Sequence, residues 1–472
     1  PAPVAGPRAR RGRGVRRGRL VVAGLLVAAH ALAVVAFTGS RGGGGPAARP
    51  ASRPNVLVIV TDDARAETLA VMPKTRRWMA DGGVTYRQGF VTTPSCCPSR
   101  ASILSGRYVH NHGVLRQQLG ERLDQRTTLA RYLDDAGYQT AMAGKFLNRW
   151  SLRQPPPHFD RYALANGGYY DQLWEVDGAV RRVHTYSTTF IGDQALAYLS
   201  EFERDDARPW FAYLATFAPH DPRVPEPKYA SASFPALDRV GAGRPRLDGA
   251  PRYLRDREPA APAEAAKVRT GQLRTLLSVD DMVDRVLRRL QDTGELEHTL
   301  VFFLSDNGYA WGEHGRIGKF TPYTESIKVP FLVRWPGRLP AGTLDDRLVA
   351  TVDITPTVLE AAGVRPDAGV PLDGRSLLDG RRRERLLAEY WQDQANAPGI
   401  RDWAALRTAG WQYIENYDQP GSPGTFREYY DLTRDPGMER NLLADDDPGN
   451  DPPAALAAEL AAARACKGES CP

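Results

Sequence analysis

Two pairs of side chains with oxygen donor atoms follow apolar runs that are typical of buried strands. Asp62-Asp63 follows the run at 55–60 after one threonine, and Asp306-Asn307 follows the run at 299–304 after one serine. Three carboxylates and an amide oxygen suit Ca²⁺ or Mg²⁺ better than Zn²⁺. Taken singly, an Asp-Asp pair is more often a helix cap or a turn, and Asp-Asn-Gly is more often a plain turn. Their matching positions at strand ends instead favour one divalent-cation site.

The most distinctive short motif of the chain is Cys96-Cys97-Pro98-Ser99-Arg100. It contains two adjacent cysteines, which are candidate nucleophiles, shortly before an arginine, and small residues continue it as a helix. The alternative is a pair of buried cysteines, since a free cysteine packs as a small hydrophobic side chain. The motif alone leaves both interpretations open.

The elements that must position these residues alternate between strands and helices. Apolar runs predict buried strands at 55–60, 138–143, 210–216, 299–304 and 329–335, and helical patterns cover 127–136, 188–202 and 263–290. The alternation predicts an α/β fold with a large, mostly parallel central sheet flanked by helices. Ligands are expected at the carboxyl ends of its strands. Residues 151–187 and 221–262 contain many Pro, Arg and Gly residues, which predicts long loops that bind substrate.

After residue 384 the pattern changes to short strand-like runs separated by turn residues. Runs at 386–391, 403–408, 411–417 and 426–432 predict a small antiparallel sheet, with a helix over 453–465. We therefore expect a catalytic α/β domain at 54–384 and a C-terminal α+β subdomain at 385–472. Cys466 and Cys471 are favoured as a disulfide over two free thiols, because an exported protein permits one.

The first 53 residues have the composition of an export or anchoring segment. Residues 1–19 form a basic n-region, residues 20–37 predict a signal peptide or a membrane anchor, and residues 38–53 predict a flexible linker. Nine arginines and no acidic residue lie in the first 50 positions, so the net charge of +6 becomes negative without them. Nucleic-acid binding is therefore not indicated. The rest of the chain is expected outside the cytoplasmic membrane, secreted or anchored only through this segment.

The order of motifs along the chain resembles the type I sulfatases of the alkaline phosphatase superfamily. After Asp62-Asp63 and the Cys96 motif come further matching motifs, which are Gly144-Lys145, Pro219-His220, Ser305-Asp306-Asn307-Gly308, Gly312-Glu313-His314-Gly315, Gly318-Lys319 and Tyr429 to Pro436. The resemblance extends from Asn55 to Leu442. It implies the fold of that family and the hydrolysis of sulfuric esters.

The resemblance implies how the nucleophile and the metal site are made. Cys96 would be converted to formylglycine (3-oxoalanine) by a formylglycine-generating enzyme, and the aldehyde hydrate would attack sulfur. The family usually binds calcium, with Mg²⁺ as the alternative here. The implied metal ligands are Asp62, Asp63, Asp306, Asn307 and the modified Cys96.

The resemblance also implies the residues that hold the sulfate group. Arg100 would steady the formylglycine hydrate, and Lys145 and Lys319 would bind sulfate oxygens. His220 would be the general acid for the leaving alcohol or a sulfate ligand. His314 would be an acid-base residue or a supporting one. Outside this framework, a lysine after glycine is usually a solvated side chain.

Several details resemble the N-acetylglucosamine-6-sulfatase branch of the family. Leu147 stands where many arylsulfatases have a histidine, within a Gly-Lys-aromatic-Leu-Asn run that this branch shares. Asp171 departs from the branch, which has an asparagine there. The implied substrate is a sulfated sugar of the glycosaminoglycan type, with 6-O-sulfated N-acetylglucosamine as one candidate. The alternatives are a broad arylsulfatase, a phosphonate monoester or phosphodiester hydrolase on the same scaffold, and an unmodified, inactive sugar-binding protein.

Overall fold

The computed structural model describes residues 53–236, 249–417 and 424–472. The predicted n-region 1–19, the apolar segment 20–37 and all but the last residue of the linker 38–53 lie outside the described residues. So does the middle of the predicted loop 221–262. Within the described ranges, no helix is both long and apolar enough to cross a membrane.

The strands of the described ranges form three sheets. In chain order they are β1 Asn55–Thr61, β2 Val84–Phe90, β3 Gln139–Gly144, β4 Arg161–Leu164, β5 Gln172–Val176, β6 Ala179–Val183, β7 Trp210–Ala215, β8 Thr299–Ser305, β9 Ala310–Trp311, β10 Ile317–Gly318, β11 Phe331–Arg334, β12 Thr343–Ala350, β13 Leu386–Tyr390, β14 Trp403–Arg407, β15 Trp411–Asn416 and β16 Phe426–Asp431.

The central sheet has ten strands, in the order β12-β2-β11-β8-β1-β7-β3-β4-β5-β6. Its middle strands, from β8 to β4, are all parallel. Strands β11, β5 and β6 run antiparallel to their neighbours, so the sheet as a whole is mixed. The predicted α/β class with a parallel centre is confirmed, and the antiparallel strands lie towards its two ends.

Strand β1 shows why the centre of the sheet is buried on both faces. Val56, Val58 and Val60 belong to one hydrophobic cluster, whereas Leu57 and Ile59 belong to another. Successive side chains of a strand point to opposite faces, so an apolar residue at every position requires cover on both sides. All five residues are fully buried.

Helices provide that cover. They are α1 Pro73–Thr75, α2 Cys96–Ser105, α3 Val109–His112, α4 Leu129–Asp135, α5 Ser187–Phe202, α6 Arg252–Arg255, α7 Pro262–Asp292, α8 Thr324–Ile327, α9 Ile354–Ala362 and α10 Leu456–Arg464. The long helix α7 places Leu276, Val279, Val283 and Leu287 in the same cluster as Leu57. Their spacing of three and four residues puts them on one face of the helix.

The prediction of one long loop over residues 151–187 is wrong, because this stretch contains β4, β5 and β6. These strands have only four or five residues each, and β6 has the sequence AVRRV with four exposed residues. Such strands have no continuous apolar run to reveal them. The described part of 221–262 does match its prediction, since it contains only a short 3₁₀ turn and α6.

The predicted C-terminal antiparallel sheet is confirmed, and its strands follow in the order β13-β14-β15-β16. The predicted disulfide is confirmed as well, since Cys466 and Cys471 are bonded. The Tyr323 hydroxyl donates to Glu428 of β16 at 2.8 Å. Because Tyr323 lies just past Lys319, this contact joins the small sheet to the loop that carries a predicted site residue.

Candidate active site

The residues after β1 and β8 lie side by side because the two strands are parallel neighbours in register. The N–H of Asp306 donates to the carbonyl oxygen of Thr61 at 3.0 Å, and the N–H of Asp63 donates to Oδ1 of Asp306 at 3.3 Å. Asn307 Nδ2 donates to Oδ1 of Asp63 at 2.7 Å. The structure therefore brings together the four predicted oxygen ligands, which are all at most 2% exposed: Asp62, Asp63, Asp306 and Asn307.

Helix α2 brings Cys96 and Arg100 to the same place. The two residues are four positions apart and so lie on one face of the helix. The Cys96 thiol donates to Oδ1 of Asp62 at 3.3 Å. Arg100 Nε donates to Oδ2 of Asp306 at 2.7 Å, and its Nη1 donates to the carbonyl oxygen of Lys145 at 2.8 Å. Every residue of α2 is buried, so the helix holds both side chains from within the core.

Two lysines reach the cluster from different elements. Lys145 follows β3 and pairs with Asp62. Lys319 follows β10, pairs with Asp63 and lies 2.6 Å from Sγ of Cys96. Both lysines are buried. Burying an ammonium group is costly unless a carboxylate pairs with it, so these contacts explain how the charges are accommodated.

The charges in this cluster control which groups are ionised. Burial raises the pKa of Asp62. The positive charges of Lys145, His220 and Arg100 together lower it by more than burial raises it, so the pKa of Asp62 lies well below the usual range. Burial lowers the pKa of Lys145, but the Asp62 carboxylate more than offsets this and the pKa is raised. The pKa of Asp306 is raised, first by burial and then by the charge of Asp62. The arrangement therefore keeps Asp62 and Lys145 as a buried pair of opposite charges.

Cys96 in its unmodified form is a weak nucleophile in this setting. Burial, followed by the charge of Asp62, raises the pKa of its thiol to about 12. The reactive form of cysteine is the thiolate, which is scarce at neutral pH when the pKa is this high. The protonated thiol is therefore the main form of unmodified Cys96 at neutral pH.

His220 lies at the edge of the cluster and its side chain is 38% exposed. Its Nε2 is 3.9 Å from Oδ2 of Asp63, and its Nδ1 is 3.0 Å from the carbonyl oxygen of Asp221. A carbonyl oxygen only accepts hydrogen bonds, so Nδ1 carries a proton and Nε2 faces the cluster. At Nε2 the ring can donate a proton or use its lone pair as a ligand.

The donor atoms in the cluster fit a divalent cation. One ligand atom each from Asp62, Asp63, Cys96 and His220 lies within 4.8 Å of the others. The ammonium of Lys319 already contacts Asp63, Cys96 and, at 3.4 Å, Oδ1 of Asn307, so these donors converge on one positive charge. Carboxylate and amide oxygens are the ligands that Ca²⁺ and Mg²⁺ prefer.

The structure adds one candidate to the expected ligand set and shows which groups contact another. His220, which the sequence pattern assigned to proton transfer or sulfate binding, is close enough to join the metal-ligating atoms. Asp306, which was expected to be a ligand, has one carboxylate oxygen bound by Arg100 and the other by the Asp63 backbone. Each of these oxygens keeps a further lone pair, so Asp306 stays in the expected ligand set.

His314 is not brought to the cluster with the other predicted residues. Its ring stacks on Tyr323 with 3.9 Å between ring centroids, and its Nε2 is 3.6 Å from Oε2 of Glu325. It borders a separate cavity of about 190 Å³. His314 is therefore part of the packing beneath the Lys319 loop.

The cluster opens onto a cavity of about 670 Å³. The cavity wall is largely polar, and it is formed by Asp63, Gln117, Lys145, Asn148, Arg149, Asn166, His220, Asp221, Arg257, Tyr309, Arg316, Ile317, Gly318, Lys319, Phe320, Asn396, Ala397 and Pro398. A volume of this size is typical of a small-molecule site. Cys96 is 1% exposed and touches the cavity residue Lys319.

Sequence reasoning missed most of the polar side chains in the cavity wall. Gln117 accepts hydrogen bonds from the Cys97 backbone at 3.0 Å and from Asn148 Nδ2 at 2.9 Å, so it ties the helix of Cys96 to the loop after Lys145. Gln117 lies in no motif, and the fold alone brings it here. Asn148 could have been identified from the sequence, because it ends the Gly-Lys-aromatic-Leu-Asn run.

Comparison with known families matches almost all of the described chain. A family model described as "Sulfatase" matches residues 54–364. A second model, described as "N-sulphoglucosamine sulphohydrolase, C-terminal", matches residues 312–465. The first match covers more than half of the chain.

Two similar proteins and one solved structure agree with these matches. Human N-acetylglucosamine-6-sulfatase is 33% identical over 467 residues, which cover 84% of this chain and 82% of that protein. The extracellular sulfatase SULF-1 homolog of Drosophila melanogaster is 33% identical over 367 residues, and the matched part spans 32% of that longer protein. A structure solved with its substrate D-glucosamine-2-N,6-O-disulfate has a TM-score of 0.73 and 23% identity, and it covers 87% of this chain and 96% of its own. This last likeness shows a common fold.

Proposed function

Because this chain belongs to the sulfatase family and is a sulfuric ester hydrolase, we propose that its substrate is a sulfated sugar, with 6-O-sulfated N-acetylglucosamine as the candidate to test first. The human protein that is 33% identical over most of both chains is an N-acetylglucosamine-6-sulfatase. The structural neighbour was solved with a glucosamine that carries a 6-O-sulfate. Both relatives therefore direct attention to the same sulfate position.

The observation that carries the proposal is the position of Cys96. Its sulfur contacts Asp62 at 3.3 Å and Lys319 at 2.6 Å, at the wall of a polar cavity. We propose that Cys96 is converted to formylglycine by a formylglycine-generating enzyme. The hydrated aldehyde would supply the hydroxyl nucleophile that the protonated thiol cannot.

We propose that the cluster holds Ca²⁺, with Mg²⁺ as the alternative. The ligands would come from Asp62, Asp63, Asp306, Asn307 and residue 96. A bound cation would neutralise charge on the sulfate oxygens.

The lysines and Arg100 would bind and orient the reacting groups. A sulfate ester is an anion, so a nucleophile approaches it readily only when positive groups surround it. Lys145 and Lys319 both line the cavity and carry that charge. Arg100 lies one turn along the helix from residue 96 and is fixed by Asp306, so it would hold residue 96 in place.

His220 would donate the proton that the leaving alcohol needs. With Nδ1–H bound to the Asp221 carbonyl, a second proton sits on Nε2 when the ring is charged, and this nitrogen faces the cluster. Oδ2 of Asp63 lies 3.9 Å from this nitrogen. For His314 we propose a supporting role behind the Lys319 loop, because its ring packs on Tyr323.

We propose the same domain organisation as the sequence predicted, with catalysis in residues 54–384 and a C-terminal subdomain at 385–472. We also propose an extracytoplasmic location. The predicted export segment at 20–37 supports it, as does the similarity to a protein named as an extracellular sulfatase.

A substrate panel tests the proposed function. The purified protein is assayed with 6-O-sulfated N-acetylglucosamine, an aryl sulfate and a phosphonate monoester, with and without added Ca²⁺. The proposal predicts that the sulfated sugar has the highest kcat/KM and that a chelator abolishes its turnover. A phosphonate rate far above both sulfate rates would contradict it, and an aryl sulfate rate above the sugar rate would contradict the substrate assignment.

A further inference from the structure

Arg257 and Arg316 lie on the part of the wall that two cavities share. Both border the cavity of about 670 Å³ that contains Lys145 and Lys319, and both border the cavity of about 190 Å³ that contains His314. Arg316 directly precedes β10, so its Cα is at most roughly 11 Å from that of Lys319. The two arginines therefore stand beside the proposed sulfate ester site without being part of it.

Neither guanidinium is neutralised by a carboxylate of the described residues. Arg316 Nη1 donates to the carbonyl oxygen of Tyr253 at 3.3 Å, and Arg257 Nη2 donates to that of Pro398 at 3.3 Å. Glu258 and Glu264 border the smaller cavity, but neither forms an ion pair with these arginines. This contrasts with Lys145 and Lys319, which are both paired with aspartates.

The two arginines also repel each other. Arg316 is half-buried, and its pKa is lowered, first by burial and then by the positive charge of Arg257. Bringing like charges together at a partly desolvated position is unfavourable unless an anion joins them. An ordinary solvated arginine would keep its head group in water and away from other cations.

We propose that Arg257 and Arg316 form a second anion subsite that binds an additional sulfate or carboxylate group of the substrate. This inference rests on the proposed function, because it takes the cleaved sulfate to lie at Lys145 and Lys319. A guanidinium presents a planar set of N–H donors that binds oxyanions in a bidentate manner. The preferred substrate is then a saccharide with at least two anionic groups.

The second anion has two possible sources, which a binding experiment separates. Titration calorimetry is run on the Cys96→Ala protein, so that binding is measured without turnover. The ligands are 6-O-sulfated N-acetylglucosamine, N,6-O-disulfated glucosamine, and 6-O-sulfated N-acetylglucosamine linked to a uronic acid. We expect one of the two doubly anionic ligands to bind about tenfold more tightly than the singly sulfated sugar, as a charge-assisted hydrogen bond predicts. The better ligand identifies the second group as an N-sulfate or a neighbouring carboxylate.

Substitutions then assign the effect to the two arginines. Adding Arg257→Ala and Arg316→Ala should reduce the affinity ratio between doubly and singly anionic ligands to about twofold or less, and Arg316→Glu should reverse it. Arg257→Lys with Arg316→Lys keeps the charge and should retain part of the ratio. Arg255→Ala is the matched control, because Arg255 is exposed and is not among the residues of either cavity wall.

The outcomes separate this inference from the proposed function. Equal affinities for all three ligands, or a ratio that the double variant leaves unchanged, would overturn the second subsite. Tight, arginine-dependent binding of a doubly anionic ligand that the Cys96-containing enzyme does not cleave would uphold the subsite and contradict the proposed reaction.

Discussion

Basic side chains lie both in the buried cluster beneath the cavity, here called the floor, and on the outer part of the cavity wall, here called the rim. Among the described residues, only those of the floor pair with carboxylates. The floor consists of Arg100, Lys145 and Lys319 with their partners Asp306, Asp62 and Asp63. The rim consists of Arg149, Arg257 and Arg316, which form no ion pair with a carboxylate in the described ranges. The floor residues are at most 7% exposed, whereas Arg149 and Arg257 are exposed and Arg316 is half-buried.

This difference indicates that the floor and the rim have different roles. On the floor, each buried charge depends on its neighbours, so its position is fixed before substrate arrives. On the rim, no carboxylate of the described residues pairs with the positive charges, so these remain available to an anionic ligand. Substitutions on the floor should therefore impair both stability and chemistry, whereas substitutions on the rim should change which substrate is preferred.

The largest effect is expected at the nucleophile of the floor. Cys96→Ala should lower kcat by roughly a thousandfold or more, because it removes the group that forms the covalent bond. Cys97→Ala is the matched control and should keep most of the activity, since the Cys97 side chain belongs to the hydrophobic core. The measurement is kcat on the best sulfate ester. Equal losses in the two variants would mean that the wrong cysteine has been assigned.

Removing a floor lysine should reduce both turnover and stability. Lys145→Ala leaves Asp62 buried with less positive charge around it, so we expect kcat/KM to fall about a hundredfold and the free energy of unfolding to fall by about 3 kcal/mol. Lys228→Ala, which breaks an exposed pair with Asp281, is the control and should change stability by less than about 1 kcal/mol. Steady-state kinetics and urea unfolding measure the two effects. A Lys145 variant as stable as the control would refute the picture of a tightly coupled floor.

His220, between floor and rim, should show an effect that depends on the leaving group. His220→Gln should lower kcat about a hundredfold for a sugar sulfate, whose alcohol needs a proton to depart. It should lower kcat much less for an aryl sulfate, because a phenolate leaves without one. A series of aryl sulfates of graded leaving-group pKa measures this. The same loss for every leaving group would indicate that His220 serves as a ligand instead of an acid.

His112 lies next to the floor and is buried without a charged partner, so it should make stability depend on pH. His112 Nδ1 accepts a hydrogen bond from the Val114 N–H at 3.1 Å and Nε2 contacts Ser102 Oγ of α2 at 3.0 Å, so the ring is held neutral. The pKa of His112 is lowered to about 3, mainly by burial and next by the positive charge of Arg107. Between the unfolded pKa of about 6.5 and this value, the unfolded state binds a proton that the folded state does not.

Stability should therefore fall as the pH falls through that window. The contribution of His112 is up to about 1.4 kcal/mol per pH unit below about pH 6.5. Urea unfolding at pH 7, 6, 5 and 4.5 measures it, and His112→Asn should flatten the slope. If the slope of the variant matches that of the wild type, His112 does not account for the acid sensitivity.

The smallest effect is expected on the free energy of unfolding when a rim residue is substituted. Arg257→Ala should change the free energy of unfolding by no more than about 0.5 kcal/mol, because an exposed side chain without an ion-pair partner contributes little. Thermal unfolding of the Arg257→Ala and Lys145→Ala proteins, measured under the same conditions, compares the two regions directly. A loss as large as that of the lysine variant would remove the distinction between floor and rim.

The floor could be predicted from sequence, whereas the rim could not. Asp62 and Asp306 follow apolar strands, and the parallel arrangement of those strands dictates that their ends meet. Cys96 and Arg100 lie in one short motif, and helix periodicity puts them on one face. Arg257 and Arg316 lie far apart in the chain, and only the path of the α6–α7 connection past the β9–β10 hairpin brings them to the same wall.

The resemblance left the role of His314 open, and the apolar pattern did not reveal strand β6. The resemblance implied that His314 is an acid-base residue or a supporting one, and in the structure its ring stacks on Tyr323. Strand β6 was taken as loop because its side chains are mostly exposed and charged. It is defined by its antiparallel pairing with β5, which the hydropathy of its own side chains does not reveal.

The measurement that tests the central claim most directly is the mass of the tryptic peptide 88–100 from catalytically active protein. We predict that Cys96 carries the mass of an aldehyde in place of a thiol, that Cys97 remains a thiol, and that the modified fraction rises in proportion to specific activity across preparations. Fully active protein with an unmodified thiol at Cys96 would contradict the account.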